Sequence, residues 1–169
     1  MNRLYQANPA GLAVALLLLV FAATTIYQST QGIGLKNNAE NYCLAKAAYF
    51  EAGNRGIPGM VAVAHVVHNR AIKVGRSHCE TIHMPGQFPW SRGGLEKPDF
   101  SSEAWSKSYK AVAIMKAANY DITDGSMWFH ANYVSPAWAM CLQRVGFIDG
   151  HWFYKERQQK KKGCIVAVP

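Results

Sequence analysis

CLAKAAYFEAGNRGIPGMVAVAHVVHNR, residues 43–70, reads as two helices joined by a short turn. Ala45-Lys46-Ala47-Ala48-Tyr49-Phe50-Glu51-Ala52 is made of good helix formers plus two aromatics. Gly53, Asn54 and Gly56 then stop the helix, since both residue types tolerate the left-handed backbone that a helix C-terminus uses. Pro58 suits the first turn of a second helix, where its missing N–H has no partner to lose. Met60, Val63, Ala64, Val67, Ala71 and Val74 come next at the spacing of one buried helical face. Glu51 is the only acid in the stretch, and it falls in the last turn of a largely apolar helix beside a loop.

That placement has chemical consequences. A carboxylate at a helix C-terminus meets the negative end of the helix dipole, which disfavours its ionised form. Partial burial beside Tyr49 and Phe50 pushes the same way and raises the pKa. A carboxylic acid still protonated near neutral pH is what protonates the leaving oxygen in glycosidic bond cleavage. A solvated glutamate that merely ends a helix fits the same residues.

Several segments in order add a resemblance. Cys43-Leu44-Ala45, Tyr49-Phe50-Glu51-Ala52, Gly59, Val61-Ala62-Val63-Ala64, Val67 and Asn69-Arg70 resemble the opening of the SleB-type cell wall hydrolases. This is the spore-cortex-lytic enzyme family, which also supplies bacteriophage lysins. Cys79 falls where the family has a segment like "dtVC", and Gln87-Phe88-Pro89-Trp90-Ser91 resembles its "QFSW". GSMWFHANYVSPAW, Gly125 to Trp138, resembles "GATHYHAxYVxPxW", and Ile148 to Tyr154 resembles "IGxHxFY". The matches span about residues 43–154. They imply an α+β, mostly helical, lysozyme-like (lytic transglycosylase-like) domain with a small β-hairpin. They also imply action on the N-acetylmuramic acid to N-acetylglucosamine linkage of peptidoglycan, with Glu51 as acid and then base, and no metal or other cofactor.

The rest of the chain bounds this picture. At 169 residues it is long enough for one domain with a real core. The formal charge of +8, from 18 basic and 10 acidic side chains, favours a polyanionic partner. Nucleic-acid modules, zinc-finger spacing and phosphate loops are missing from the sequence, so a bacterial wall uses the charge most simply. The run Ala10 to Tyr27 holds no charged residue and comes after a short polar start with Arg3. Its length lies between a signal h-region and a full membrane span. Residues 1–28 are therefore expected to be a signal-anchor or signal segment that exports the remainder of the chain. Residues 29–41 are expected to be a linker, 42–155 the catalytic domain and 156–169 a basic tail. Partners then include the inner membrane as well as peptidoglycan. One catalytic domain behind a short export segment suits a phage endolysin acting outside the inner membrane.

Cys43, Cys79, Cys141 and Cys164 fit an exported chain, and four cysteines allow three pairings. The family resemblance implies Cys43–Cys79, which leaves Cys141–Cys164. Residues 75–99 are rich in proline and glycine, with Pro85, Gly86, Pro89, Gly93, Gly94 and Pro98, and are expected to be a long functional loop. Ser101 or Ser102 caps the next helix, with Trp105, Tyr109 and Val112 as its buried stripe. A strand is expected around Ser126 to His130, a short helix from Pro136 to Gln143, and a hairpin across Asp149-Gly150.

Gln87, Phe88, Trp90, His130, Tyr133 and His151 are the candidate substrate contacts, through an amide, aromatic faces and imidazoles. Phe88 and Trp90 as loop anchors, and His130 and His151 as hydrogen-bonded structural residues, are equally open. His65 and His68 stand at i, i+3 without an HExxH pattern and are expected to be structural. A two-carboxylate glycosidase needs a partner for Glu51. Glu80, Glu96, Asp99, Glu103, Asp121, Asp124 and Asp149 are available, and none falls in a motif that recommends it. Arg55 stands where the family commonly carries another acid, Met60 replaces a common glutamine, and Pro89 replaces a serine. The missing acid favours a single-glutamate, transglycosylase-like mechanism. The alternatives are a zinc-dependent N-acetylmuramoyl-L-alanine amidase and an inactive, membrane-anchored wall-binding protein.

Overall fold

The computed structural model describes residues 9–92, 96–159, 162–164, 166 and 167, without the side chains of 9–13 and 29–36. The chain divides into two compact units, residues 1–38 and 39–169. Helix α1 spans Pro9–Ala52 without a break, so the expected linker at 29–41 is helical. Gly32 and Gly34 weaken a helix by only about 1 kcal/mol each, and no proline interrupts the stretch. In the first unit Val14, Leu16 to Phe21, Ile26 and Tyr27 are all exposed. Among the described residues, no helix is long and apolar enough to cross a membrane. The expected export segment includes residues 1–8 and the side chains of 9–13, which lie outside what is described.

In the second unit, α2 (Ile57–Val74) is the central element. Nine consecutive residues, Gly59 to Val67, are buried, so the helix is covered on all sides rather than along one stripe. The end of α1 lays Leu44, Ala45, Ala47, Ala48 and Ala52 into one core with Met60, Val63, Ala64 and Val67 of α2. The run of alanines on α1 lets the backbones come close. Helix α4 (Glu103–Ala117) closes this core with Trp105, Ala111, Val112 and Met115. Ser102 caps it as expected, accepting from the Trp105 N–H at 3.1 Å. Tyr109 departs from the expected stripe: it is 40% exposed, and Ser108 and Ala111 take the buried positions instead.

A short helix, α3 (His78–His83), lies in the region expected to be loop. Its signal is a capping box in which Ser77 accepts from the Glu80 N–H and the Glu80 carboxylate accepts from the Ser77 N–H. The small sheet has three antiparallel strands, β1 (Trp128–Ala131), β2 (Gln143–Ile148) and β3 (His151–Lys155), in the order β1-β3-β2. The hairpin across Asp149 and Gly150 is as expected, with φ of 45° and 89° at the two turn residues. The helix expected at 136–143 is a 3₁₀ turn over Ala137–Cys141. Phe153 of β3 seats the sheet on Ala62 and Val66 of α2. Both disulfides form as implied: Cys43–Cys79 ties α1 to α3, and Cys141–Cys164 ties the tail to the 3₁₀ turn.

Candidate active site

Glu51 ends α1 where the chain turns away through Gly53. This glycine is required by close approach, since a Cβ there would lie 2.3 Å from the Tyr49 carbonyl oxygen. Beyond the turn opens a cleft of about 610 Å³, a size suited to a sugar-sized ligand. One wall comes from the end of α1, the turn and residues 87–89; the other comes from β1, the loop after it and the start of β3. Among the described residues, Glu51 is the only carboxylate lining this cleft.

Three influences act on the Glu51 carboxyl. Burial raises its pKa above the ordinary carboxylate value. The Trp90 indole N–H, donating to Oε1 at 2.7 Å, opposes this, as does the nearby Arg70 guanidinium. Trp90 does not line the cleft. Its ring packs against Phe50 (centroids 4.9 Å apart) and Phe88 (5.2 Å), with the Lys46 ammonium 5.4 Å from its centre. Trp90 is thus engaged by the protein and holds Glu51 from behind. Phe88 lines the cleft but is only 2% exposed, and its ring belongs to the same packing.

Arg70 receives no role from sequence reasoning. The signals are its place in the Asn69-Arg70 pair of the resemblance and its register, because position 70 continues the buried face of Met60, Val63 and Val67. It is 6% exposed; Nε donates to the Met127 carbonyl at 2.7 Å and Nη1 to Gln87 Oε1 at 3.1 Å. Its guanidinium lies over the rings of Phe88 and Phe129, at 5.3 and 6.0 Å. Burial lowers its pKa to about 10, which leaves it charged at neutral pH, and Glu51 pulls the other way. The arginine fixes Gln87 on the cleft wall by occupying the amide oxygen, so the Gln87 NH₂ is the part left for a ligand.

On the opposite wall His130, Tyr133 and His151 all line the cleft. Tyr133 is 81% exposed and offers a free aromatic face. His130 is held at both nitrogens: Nδ1 donates to the Ala131 carbonyl at 2.9 Å, and Nε2 shares a hydrogen bond with the Tyr154 hydroxyl at 2.9 Å. A carbonyl can only accept, which assigns a proton to Nδ1. His151 is buried against Phe129, with ring centroids 5.5 Å apart, and among the described residues its Nδ1 has no hydrogen-bond partner. Burial first, and then the charge of Arg55, lower its pKa and keep it neutral.

The other acids considered as partners for Glu51 are placed elsewhere. Glu80 belongs to the α3 capping box, Glu103 pairs with Lys107, and Asp124 pairs with Lys155. Asp99 accepts from Ser101, and Asp121 gathers Asn69, Thr123 and Gly125. Glu96 is exposed and does not line the cleft. Asp149 accepts from the Gly59 N–H at 3.2 Å and so caps the N-terminus of α2, whose own N-cap residue, Gly56, has no side chain. The α2 histidines lie apart from the cleft: His65 contacts Asp121 (3.4 Å), and His68 shares a hydrogen bond with His78 (3.0 Å). Among the described residues, no group of three His, Cys, Asp or Glu side chains is placed to hold a metal ion.

A family model described as Cell Wall Hydrolase matches residues 54–154, beginning three residues after Glu51. Among solved structures, the fold is similar to the catalytic domain of the germination-specific lytic transglycosylase SleB from Bacillus anthracis. That likeness has a TM-score of 0.56 and 22% identity, and covers 69% of this chain and 93% of that one. The catalytic domain of the Bacillus cereus SleB protein is similar at a TM-score of 0.53 and 22% identity, covering 69% of this chain and 89% of that one. At this identity the likenesses establish the fold. No curated protein matches significantly.

Proposed function

We propose that this chain, which belongs to the cell wall hydrolase family, cleaves the glycosidic bond between N-acetylmuramic acid and N-acetylglucosamine in peptidoglycan. One observation carries the reading. A partly buried carboxyl, held by the Trp90 N–H and offset by the buried Arg70, is the sole acid among the described residues of a sugar-sized cleft. Glu51 is the general acid. Its proton goes to the glycosidic oxygen as the bond to the muramic C1 breaks, leaving positive charge on the sugar ring and negative charge on the carboxylate. The Trp90 N–H and the Arg70 guanidinium are already in place to stabilise that carboxylate.

Glu51 then acts as the base. In a lytic transglycosylase it takes the proton from the muramic 6-hydroxyl as that oxygen bonds to C1, giving a 1,6-anhydro end and restoring the protonated carboxyl. Atoms and protons balance without water. The lack of a second carboxylate among the described cleft residues to activate water favours this route over hydrolysis. The fold shared with the SleB catalytic domains supports the same choice. Tyr133 and the Gln87 NH₂ are the proposed sugar contacts, by stacking and by hydrogen bonding. In the same reading residues 1–28 export the domain beyond the inner membrane, as an endolysin for host lysis requires; the charge-free run Ala10–Tyr27 supports this.

Mass spectrometry of muropeptides released from purified peptidoglycan by the full chain and by Glu51→Gln tests the proposal. Anhydro-muramic ends that vanish in the variant are expected. Reducing muramic ends would mean hydrolysis by water. Free peptide stems would make the protein an amidase and overturn the role of Glu51, and binding without any release would make it a wall-binding protein.

A further inference from the structure

The cleft holds a second charged group that the glycosidic chemistry does not use. Arg55 sits in the turn between α1 and α2, four residues after Glu51, and lines the same cleft. Its guanidinium lies against the hairpin turn: a Cβ at Gly150 would fall 2.7 Å from Arg55 Cζ and Nη1. Gly150 therefore serves two ends, the left-handed backbone (φ +89°) and room for this side chain.

Among the described residues, Arg55 nonetheless has no hydrogen-bond or ion-pair partner for its side chain, and its Nε is buried. The acid of the neighbouring turn, Asp149, is directed to the Gly59 N–H. Arg70 makes the contrast plain, since it donates to Met127 and Gln87. A buried N–H without an acceptor is rare in folded proteins and costs stability until an acceptor arrives. The planar fork of an arginine is matched to a carboxylate, which it binds through two parallel hydrogen bonds.

We infer that Arg55 is an anion subsite of the cleft, binding a carboxylate carried by the muramic acid residue of the substrate. This rests on the glycosidase reading and deepens it. Two sources offer that chemistry: a carboxylate of the peptide stem, or the lactyl carboxylate of a muramic acid whose stem has been removed. With Glu51 protonated for its first step, the cleft acts on a negatively charged ligand with two guanidiniums and no opposing charge from the described lining.

The test compares the full-length wild type with Arg55→Gln and Arg55→Lys. The substrates are peptidoglycan with free carboxylates, the same material with its carboxylates amidated, and glycan strands stripped of peptide. Amidation is expected to lower wild-type kcat/KM by about tenfold or more, the scale of a lost charge-assisted hydrogen bond. Arg55→Gln is expected to act on free-carboxylate wall as slowly as wild type acts on amidated wall, mainly through KM, and to be insensitive to amidation. Arg55→Lys restores part of the preference. Melting temperatures should not fall, because the side chain has no partner among the described residues to lose and its orphaned N–H is removed. Loss of activity by Arg55→Gln on stripped strands identifies the lactyl carboxylate; loss only on intact stems identifies the stem. Equal losses for Arg55→Gln on free and amidated wall, or a wild type indifferent to amidation together with no Arg55→Gln loss on stripped strands, would overturn the subsite while leaving Glu51 intact. Absence of glycan cleavage on every substrate would instead remove the glycosidase reading, and this inference with it.

Discussion

Trp90→Phe isolates one bond at the centre of the proposed mechanism. Phenylalanine keeps an aromatic ring packed between Phe50 and Phe88 but has no N–H to donate to Glu51 Oε1, now 2.7 Å away. A hydrogen bond to a charged group is worth about 1.5–3 kcal/mol net. The bond strengthens as Glu51 loses its proton, so the loss is felt in the transition state more than in the bound ground state. If roughly half the charge has developed there, kcat falls by about three- to tenfold. The pH profile carries the sharper signature. The N–H favours the ionised carboxylate, against the burial that raises its pKa. Removing it raises that pKa further, and the alkaline limb of kcat/KM, which reports loss of the acid form, moves to higher pH. A release assay on soluble glycan fragments across acid to mildly alkaline pH measures both effects. A variant with unchanged kcat and an unmoved limb, or a limb displaced to lower pH, would refute the role given to Trp90.

Arg70→Met leaves the Met127 carbonyl and Gln87 Oε1 without their donor and Glu51 without its cation, so it should cost about 2–4 kcal/mol in urea unfolding and also move the alkaline limb upward. A variant as stable as wild type would show that the buried guanidinium is not holding these groups. His65, His78 and His151 have pKa values lowered from 6.5, with burial the largest cause in each. Each binds its proton less readily folded than unfolded. Their contribution to stability is therefore full above the unfolded value of 6.5 and lost as pH falls through 6.5 and the lowered values. Melting temperature should drop between about pH 7.5 and 5, and a flat curve would contradict the burial of these imidazoles. Breaking Cys43–Cys79, which closes a separation of 36 residues, with a double alanine substitution should cost about 4 kcal/mol by loop entropy. Because the bridge joins α1 to α3, activity should be lost at a lower temperature in the variant, and equal heat resistance would refute the coupling.

Local features of the sequence carried much of this architecture. The apolar spacing of α2, the serine cap of α4 and the Asp149-Gly150 turn each express a preference decided within a few residues, and each reappears in place. Glu51 was legible for the same reason, since an apolar helix ending in an acid beside a glycine turn is a local pattern. What escaped was non-local. Nothing near Trp90 in sequence says that its N–H meets a carboxylate 39 positions earlier, nor that Arg70 will reach Met127 across 57 positions. Asp149 caps α2 by reaching Gly59 across 90 positions, a role that only the folded hairpin makes possible. Helix α3 is a different case. Its capping box was written in Ser77 and Glu80, but six residues are too few to show a periodicity.

The proposed mechanism asks one carboxyl, Glu51, to do two jobs. A lone acid that first gives a proton and then takes one back must keep both forms accessible. Burial alone would lock it protonated and make it a poor proton donor. Strong ion pairing alone would lock it ionised and leave nothing to donate. The structure opposes burial with one indole N–H and one guanidinium, the latter itself so enclosed that its own pKa is lowered to about 10. Both opposing groups are held by packing and hydrogen bonds to the protein, so neither has to move when the charge on Glu51 changes. A second cleft carboxylate would upset this balance by adding negative charge beside an acid that must lose its proton.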